Sequence, residues 1–192
     1  MKRVTRSYEQ KRRARQQEET RERIVDATIE LHRTIGPTAT TVSEIAKRAG
    51  VGRVTVYRHF PDEPTLSRAC SGKYLTANPL PEPERWTETA DPIERLRTAL
   101  RETYAYHRAN QAMFEHVLAD ARENPVLVPY HAHWRRAARA LAKQFGKRGK
   151  DARLLEAGIS LALSFDTWRA LAAEGVSDRD AADLMLRLAT CS

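Results

Sequence analysis

Cysteine is nearly missing from this chain: two occur in 192 residues, Cys70 and Cys191. Neither falls in a CxxC or Cys/His spacing, so no disulfide framework and no cysteine-based zinc site is visible. A reducing, cytoplasmic setting is the expectation. Glycine is scarce, eight in all, and aromatics make up only 7%. Long stretches without Gly or Pro favour helix over sheet. No apolar run approaches the roughly 20 residues that span a bilayer. The basic N-terminus is not followed by the apolar stretch of a secretory signal.

Catalytic signatures are missing too. There is no Gly-rich phosphate loop, nucleophile elbow or HExxH pair. His131 and His133 are two apart and point in different directions on a helix. His116 and Asp120 are four apart and could share a metal, but two ligands do not make a site. No catalytic residue, metal or cofactor is expected, and the chain is read as a non-enzyme.

What is abundant is positive charge, unevenly placed. The chain carries +8 overall. Residues 1–76 hold 16 Lys/Arg against 9 Asp/Glu, and residues 77–192 hold 17 against 16. The excess therefore sits on the first part of the chain, which points to a polyanion partner there. Residues 1–17 are basic and poor in large apolar side chains, and read as a flexible arm. Lys2 to Arg15 hold 7 basic residues and 1 acidic. Such an arm can follow a DNA groove or stay solvated.

From about Glu18 a helical stripe begins, with Ile24, Ala27 or Thr28, Leu31 and Ile35 on one face. Gly36-Pro37 stops it. Thr41-Val42-Ser43-Glu44 is a capping box, and Val42, Ile45, Ala46 and Ala49 follow as a short stripe. Gly50 ends this helix. Gly52 stands at the next N-cap, before a helix from Arg53 to about Phe60 with Val56 and Phe60 inward. A long helix followed by two short ones around a Gly-containing turn is a helix-turn-helix.

A fourth helix, 64–75, reads as a connector, and the four-proline stretch 77–92 as a loop. Beyond it helices are predicted over about 92–108, around Met113–Leu118, from Asn124-Pro125 to Phe145, over 151–174, and from Ser177, with Asp180 in the box position, to the end. The helix over 151–174 is apolar on more than one side, so it needs two partners, one of which can be a second subunit. The expected fold class is all-α, with the helix-turn-helix domain over 18–62 and a helical ligand-binding and dimerisation domain over 63–192.

The run TTVSEIAKRAGVGRVTVYRHF, Thr40 to Phe60, resembles the helix-turn-helix of the tetracycline-repressor (TetR) family. Ile45-Ala46, Ala49-Gly50-Val51, Thr55-Val56-Tyr57 and His59-Phe60 carry the likeness, which is strong over about residues 20–70. Two positions depart from the family's pattern. Gly52 replaces the usual N-cap serine, and Glu63 stands where many relatives carry a phosphate-contacting lysine.

The recognition helix of such a motif enters the major groove with its N-terminal residues nearest the bases. Arg53 and Val54 are the first candidates for base contact, with Thr55 and Arg58 as further ones. The resemblance implies phosphate contacts from Thr41, Tyr57 and His59, and Lys47 and Arg48 are further phosphate candidates. It also implies a homodimer through about 151–189, with Leu154, Ile159, Leu161, Leu184 and Leu188 as candidates. It implies an unknown small-molecule effector as well, with Tyr104, His107, Phe114, Tyr130, His131, Trp134, Phe165 and Trp168 as candidate pocket residues. An aromatic stripe at helical spacing is equally the mark of plain core. The reading is a ligand-responsive repressor that binds a near-palindromic operator in double-stranded DNA. Its rivals are a non-specific DNA binder and a degenerate relative acting through protein contacts.

Overall fold

A computed structural model of the chain describes residues 2–120 and 124–190, with side chains from Tyr8 onward. Among the described residues there are helices and their connections and no strand, as the composition predicts. None of these helices is long and apolar enough to cross a membrane. The chain forms two compact units, residues 1–78 with 115–126 and residues 79–114 with 127–192.

The first unit contains α1 (Lys2–Thr34), α2 (Val42–Ala49), α3 (Arg53–His59) and α4 (Glu63–Ala77). Its core joins Ile24, Val25, Ala27 and Leu31 of α1 to Ile45, Ala46 and Ala49 of α2. Val56 of α3, then Phe60, and Leu66 and Cys70 of α4 complete it. None of these short helices buries enough surface alone, so the four share one core. The Cys70 sulfur lies 3.9 Å from the Val25 carbonyl. Burial pushes its thiol up to about 12, so it packs as a small hydrophobe and stays protonated. Lys73 of α4 pairs with Asp26 of α1 at 2.6 Å.

The basic segment predicted as a flexible arm is instead the first half of α1, which begins at Lys2. Periodicity could not show this, because residues 2–17 have no apolar stripe. They also contain no Gly or Pro and are rich in Arg, Lys, Gln and Glu, all strong helix formers. An exposed i,i+4 pair, Arg15 with Glu19 at 2.9 Å, lies on this stretch.

Gly36 ends the α1 turn with φ +84°, a left-handed conformation that suits glycine. The carboxylate of Asp120 packs against it and accepts the Thr38 N–H at 3.2 Å. A Cβ at position 36 would stand 2.5 Å from Asp120 Oδ2, whereas one on Gly50, also left-handed, meets nothing closer than Arg23 at 3.8 Å. Gly50→Ala is therefore expected to cost about 1 kcal/mol, the left-handed penalty alone. Gly36→Ala must also displace Asp120 and lose its hydrogen bond, about 1 kcal/mol more. Urea unfolding of the two variants checks this; equal costs would mean that the Asp120 hydrogen bond contributes nothing.

The second unit contains α5 (Pro83–Trp86), α6 (Pro92–Ala109), α8 (Val128–Lys143), α9 (Gly149–Ala162), α10 (Phe165–Ala173) and α11 (Asp178–Thr190). Between α6 and α8 come α7 (Gln111–Asp120) and a 3-10 turn, Pro125–Leu127. Residues of α7 as far as Phe114 belong to the second unit and the rest to the first. Leu96, Ala99, Leu100 and Tyr104 of α6 are fully buried, and α6 packs against α11, while α8 packs against α9.

Two predicted stretches differ. The proline-rich loop contains a short helix, α5, whose Trp86 is buried and donates its indole N–H to Glu102 at 2.7 Å. The guanidinium of Arg95, also buried, donates to the carbonyls of Thr87 and Thr89 and closes the same strap. The single helix predicted over 151–174 is two helices broken at Leu163-Ser164. Ser164 takes up extended backbone and its hydroxyl accepts the Thr167 N–H at 3.2 Å, a new N-cap. The carbonyls freed at the break find side-chain donors. Tyr104 OH donates to Ala162 O at 2.9 Å, and the His107 ring bonds Leu163 O at 3.0 Å. Ile159, a predicted dimer contact, is fully buried within its own unit and is not available to a partner. The α9–α11 packing explains part of this: Gly158 of α9 comes so close that a Cβ there would lie 3.7 Å from Ala189 Cα.

Candidate functional site

Two constellations stand out, one on each unit. The first is built on α2 and α3. Gly50, with φ 65°, closes α2, and its N–H returns to the carbonyls of Ala46 and Lys47. Gly52 then starts α3 with no side-chain cap. The turn brings Val56 and Phe60 inward. Helix geometry then leaves Arg53, Val54, Tyr57 and Arg58 facing solvent. Val54 is 80% exposed and Tyr57 49%. Exposed valine and tyrosine side by side on an outward helix face mark a surface with something to meet. Thr55 and His59 are half-buried, and the Thr55 hydroxyl accepts from Arg58 at 3.4 Å.

Lys47 and Arg48 are exposed on α2. Arg48 leans towards α1, 3.9 Å from Glu30, which also binds Arg33 at 2.9 Å. Thr41 is committed to its capping box. Its hydroxyl accepts the Glu44 N–H at 3.2 Å and donates to the Glu44 carboxylate at 2.8 Å, which also takes the Thr41 N–H at 2.9 Å. A phosphate at Thr41 would thus have to take the place of that carboxylate. Glu63 is exposed in the first turn of α4, where a carboxylate favours the helix dipole, next to the Asp62 cap. That placement accounts for an acidic residue in structural terms.

The bonds from Thr41 hold the Glu44 carboxyl below its ordinary value of 4.5, side-chain bond first and backbone bond second. A depressed folded value means that Glu44 adds stability above its unfolded pKa and loses it as pH falls through the folded one. The stability difference between the wild type and Glu44→Gln is therefore expected to be flat near neutrality and to shrink in acid. Urea unfolding at several pH values measures it, and a difference independent of pH would refute the link.

The second constellation lies inside the second unit. His107 of α6 is fully buried and surrounded by rings. Their centroids lie 5.5 Å away for Trp134, 5.6 Å for Phe165, 6.0 Å for Trp168 and 6.3 Å for Phe114. Tyr104 stacks at 6.4 Å. Tyr130 joins through Phe114 at 5.5 Å and Trp134 at 6.1 Å. Seven of the eight pocket candidates therefore form one cluster, while His131, half-buried, touches only its edge at Tyr130, 5.4 Å away. Tyr106, 5.7 Å from Phe114 and 6.3 Å from Trp134, also belongs. Periodicity does not mark it, because it sits off the apolar stripe of α6.

The cluster is not wholly satisfied. His107 Nδ1, Trp134 Nε1 and Thr103 Oγ1 are buried without hydrogen-bond partners. Each such atom costs about 1–3 kcal/mol, so native cores seldom keep several together. Burial brings the His107 pKa down to about 4, opposed by the bond to Leu163 and by Asp178. It raises Tyr104 and Tyr130 well above the usual phenol range. At the margin, Trp168 donates to Asp178 at 2.9 Å, and Arg108 binds Asp178 at 2.7 Å while stacking 4.8 Å over Trp168.

Residues 24–66 match the family of bacterial regulatory proteins, tetR family. The helix-turn-helix of this chain is of the tetR family. Solved structures extend the likeness to the whole fold. A TetR-like transcriptional regulator from Rhodococcus sp. RHA1 is 19% identical, with TM-score 0.64 over 88% of this chain and 93% of that one. A Clostridium perfringens protein described as a candidate fatty acid metabolism regulator is 20% identical, with TM-score 0.58 over 87% and 96%. A HlyIIR mutant protein with a segment replaced by alanine is 20% identical, with TM-score 0.56 over 88% and 94%. No curated protein sequence matches significantly. The tetR-type match covers α2, α3 and their supports, so the exposed face of α3 is the recognition-helix face of such a motif.

Proposed function

We propose that the protein is a sequence-specific DNA-binding transcriptional repressor that acts as a homodimer on a near-palindromic operator and responds to a small molecule. The observation that carries this is the outward face of α3, where Arg53, Val54, Tyr57 and Arg58 stand clear of the core on a tetR-type motif. Arg53 and Val54 read base edges, Thr55 and Arg58 assist, and Thr41, Lys47, Arg48, Tyr57 and His59 meet the phosphates.

Dimerisation is assigned to α9 and α11. Leu154, Leu161 and Leu188 are each about 60% exposed on these two helices, an apolar surface that a second copy would cover. The effector role is assigned to the aromatic cluster around His107. A ligand acts there only through different affinities for the DNA-competent and DNA-incompetent states. The cytoplasm is the setting.

Selection of a random duplex library on the purified protein at moderate salt tests the reading. The expected result is enrichment of a near-palindrome whose half-sites are about one helical turn, or a multiple, apart. Retention without enrichment that disappears as salt rises would identify a non-specific binder instead.

A further inference from the structure

We propose that the aromatic cluster of the second unit binds a neutral aromatic ligand through a hydroxyl, whose oxygen donates to His107 Nδ1 and accepts from the Trp134 indole N–H. In taking this cluster as the ligand site it rests on the effector reading above.

The chemistry starts from a tautomer. The Leu163 carbonyl, 3.0 Å from His107 Nε2, can only accept, so Nε2 carries the proton. Nδ1 is then a bare acceptor, fully buried and without a partner. With its pKa down at about 4, the ring stays neutral at neutral pH and Nδ1 stays an acceptor. The Trp134 indole, its ring 5.5 Å from that of His107, offers the complementary group, a buried N–H that also lacks a partner. The indole lies close enough to Tyr130 to oppose the rise that burial imposes on the phenol. A hydroxyl is both donor and acceptor in one atom and so matches the pair.

The remaining neighbours decide the ligand's body. Phe114, Phe165 and Trp168 present rings to the same spot, which favours a flat aromatic partner. An anion is disfavoured, because a carboxylate has no proton to give Nδ1 and meets no free cation among the described residues of the cluster. Arg108, at the margin, is engaged by Asp178 at 2.7 Å. A hydrocarbon is disfavoured because it leaves both polar atoms unpaired.

Calorimetric titration of the full chain with phenol, toluene and benzoate at neutral pH tests this with probes of similar size. Phenol is expected to bind at least about ten-fold tighter than toluene, the equivalent of one hydrogen bond, with benzoate weakest. His107→Phe keeps a ring and is expected to lower phenol to the level of toluene. That variant also gives up the bond to Leu163, so Trp134→Phe is the second one, with the same expectation. The wild-type ranking stands without either. Equal binding of phenol and toluene, or no binding of phenol, would overturn the proposal and leave water as the partner of the two polar atoms. The effector reading fails separately. If phenol binds with the expected ranking but operator affinity does not change, the site stands and its effector role falls. If a charged compound releases operator from a protein that binds no phenol, the effector reading stands and this one falls.

Discussion

Arg53→Ala is expected to abolish discrimination at one position of each operator half-site while leaving the fold intact. An arginine that meets guanine O6 and N7 through two hydrogen bonds contributes about 1–3 kcal/mol of discrimination, and a dimer uses it twice. The affinity for the selected operator should therefore fall by roughly ten- to a hundred-fold for each half-site. Arg53 is exposed at the first position of α3 and contributes nothing to the core, so unfolding should shift by no more than about 0.5 kcal/mol. Arg53→Lys should recover little, since a point charge cannot make the paired hydrogen bonds. Competition of operator against scrambled duplex at fixed salt is the measurement. If both duplexes lose affinity equally, Arg53 meets phosphate and the specificity lies elsewhere on α3. Tyr57→Phe separates the two roles, because removing a hydroxyl that bonds phosphate should weaken all duplexes alike.

Much of the first unit is legible in the sequence because its helices announce themselves through local chemistry. The capping box at Thr41 and Glu44 and the glycine closure at Gly50 form as their residue types predict. The Ser177–Asp180 cap of α11 does so as well, with the Asp180 N–H on the serine hydroxyl at 3.1 Å. Val56 and Phe60 are inward because α3 has only one apolar face to offer. Where a feature depends on distant partners, the sequence is silent. The helix start at Lys2 carries no stripe, since a solvated helix end needs no apolar face. The break at Leu163-Ser164 falls inside an unbroken apolar run, and only the donors Tyr104 and His107, more than fifty residues earlier, make the freed carbonyls tolerable. Arg95 reads as surface charge, yet it is buried because the carbonyls of Thr87 and Thr89 curl over it.

The candidate sites follow the same division. The outward face of α3 can be derived from helix geometry once the inward residues are named. The aromatic cluster needs the fold, since α6, α7, α8 and α10 each supply rings that are far apart in the chain. Periodicity names the rings as inward but does not say which polar atoms they strand. His107 shows the difference. On the α6 stripe it is one more inward residue, while in the fold it is a neutral imidazole with one nitrogen bonded and the other unpartnered.

Trp86→Ala is expected to be among the most destabilising single changes in the second unit. The residue lies in a proline-rich stretch that sequence pattern marks as loop, and loops seldom carry core. Here the prolines have a constructive effect. Pro83 starts α5 at a position that needs no N–H, and this short turn aims Trp86 inward until it is only 2% exposed. The indole N–H is not left unpaired, since Glu102 of α6 accepts it at 2.7 Å. Truncating a buried tryptophan to alanine costs about 3–5 kcal/mol through lost burial and the cavity left behind. Trp86→Phe should retain most of the apolar packing and lose the bond to Glu102, a charge-assisted one, so a cost of about 1.5–3 kcal/mol is expected. Urea unfolding of wild type and both variants gives the comparison. If Trp86→Ala costs less than about 1 kcal/mol, the strap is a detachable loop and the buried guanidinium of Arg95 alone holds residues 87–89 in place.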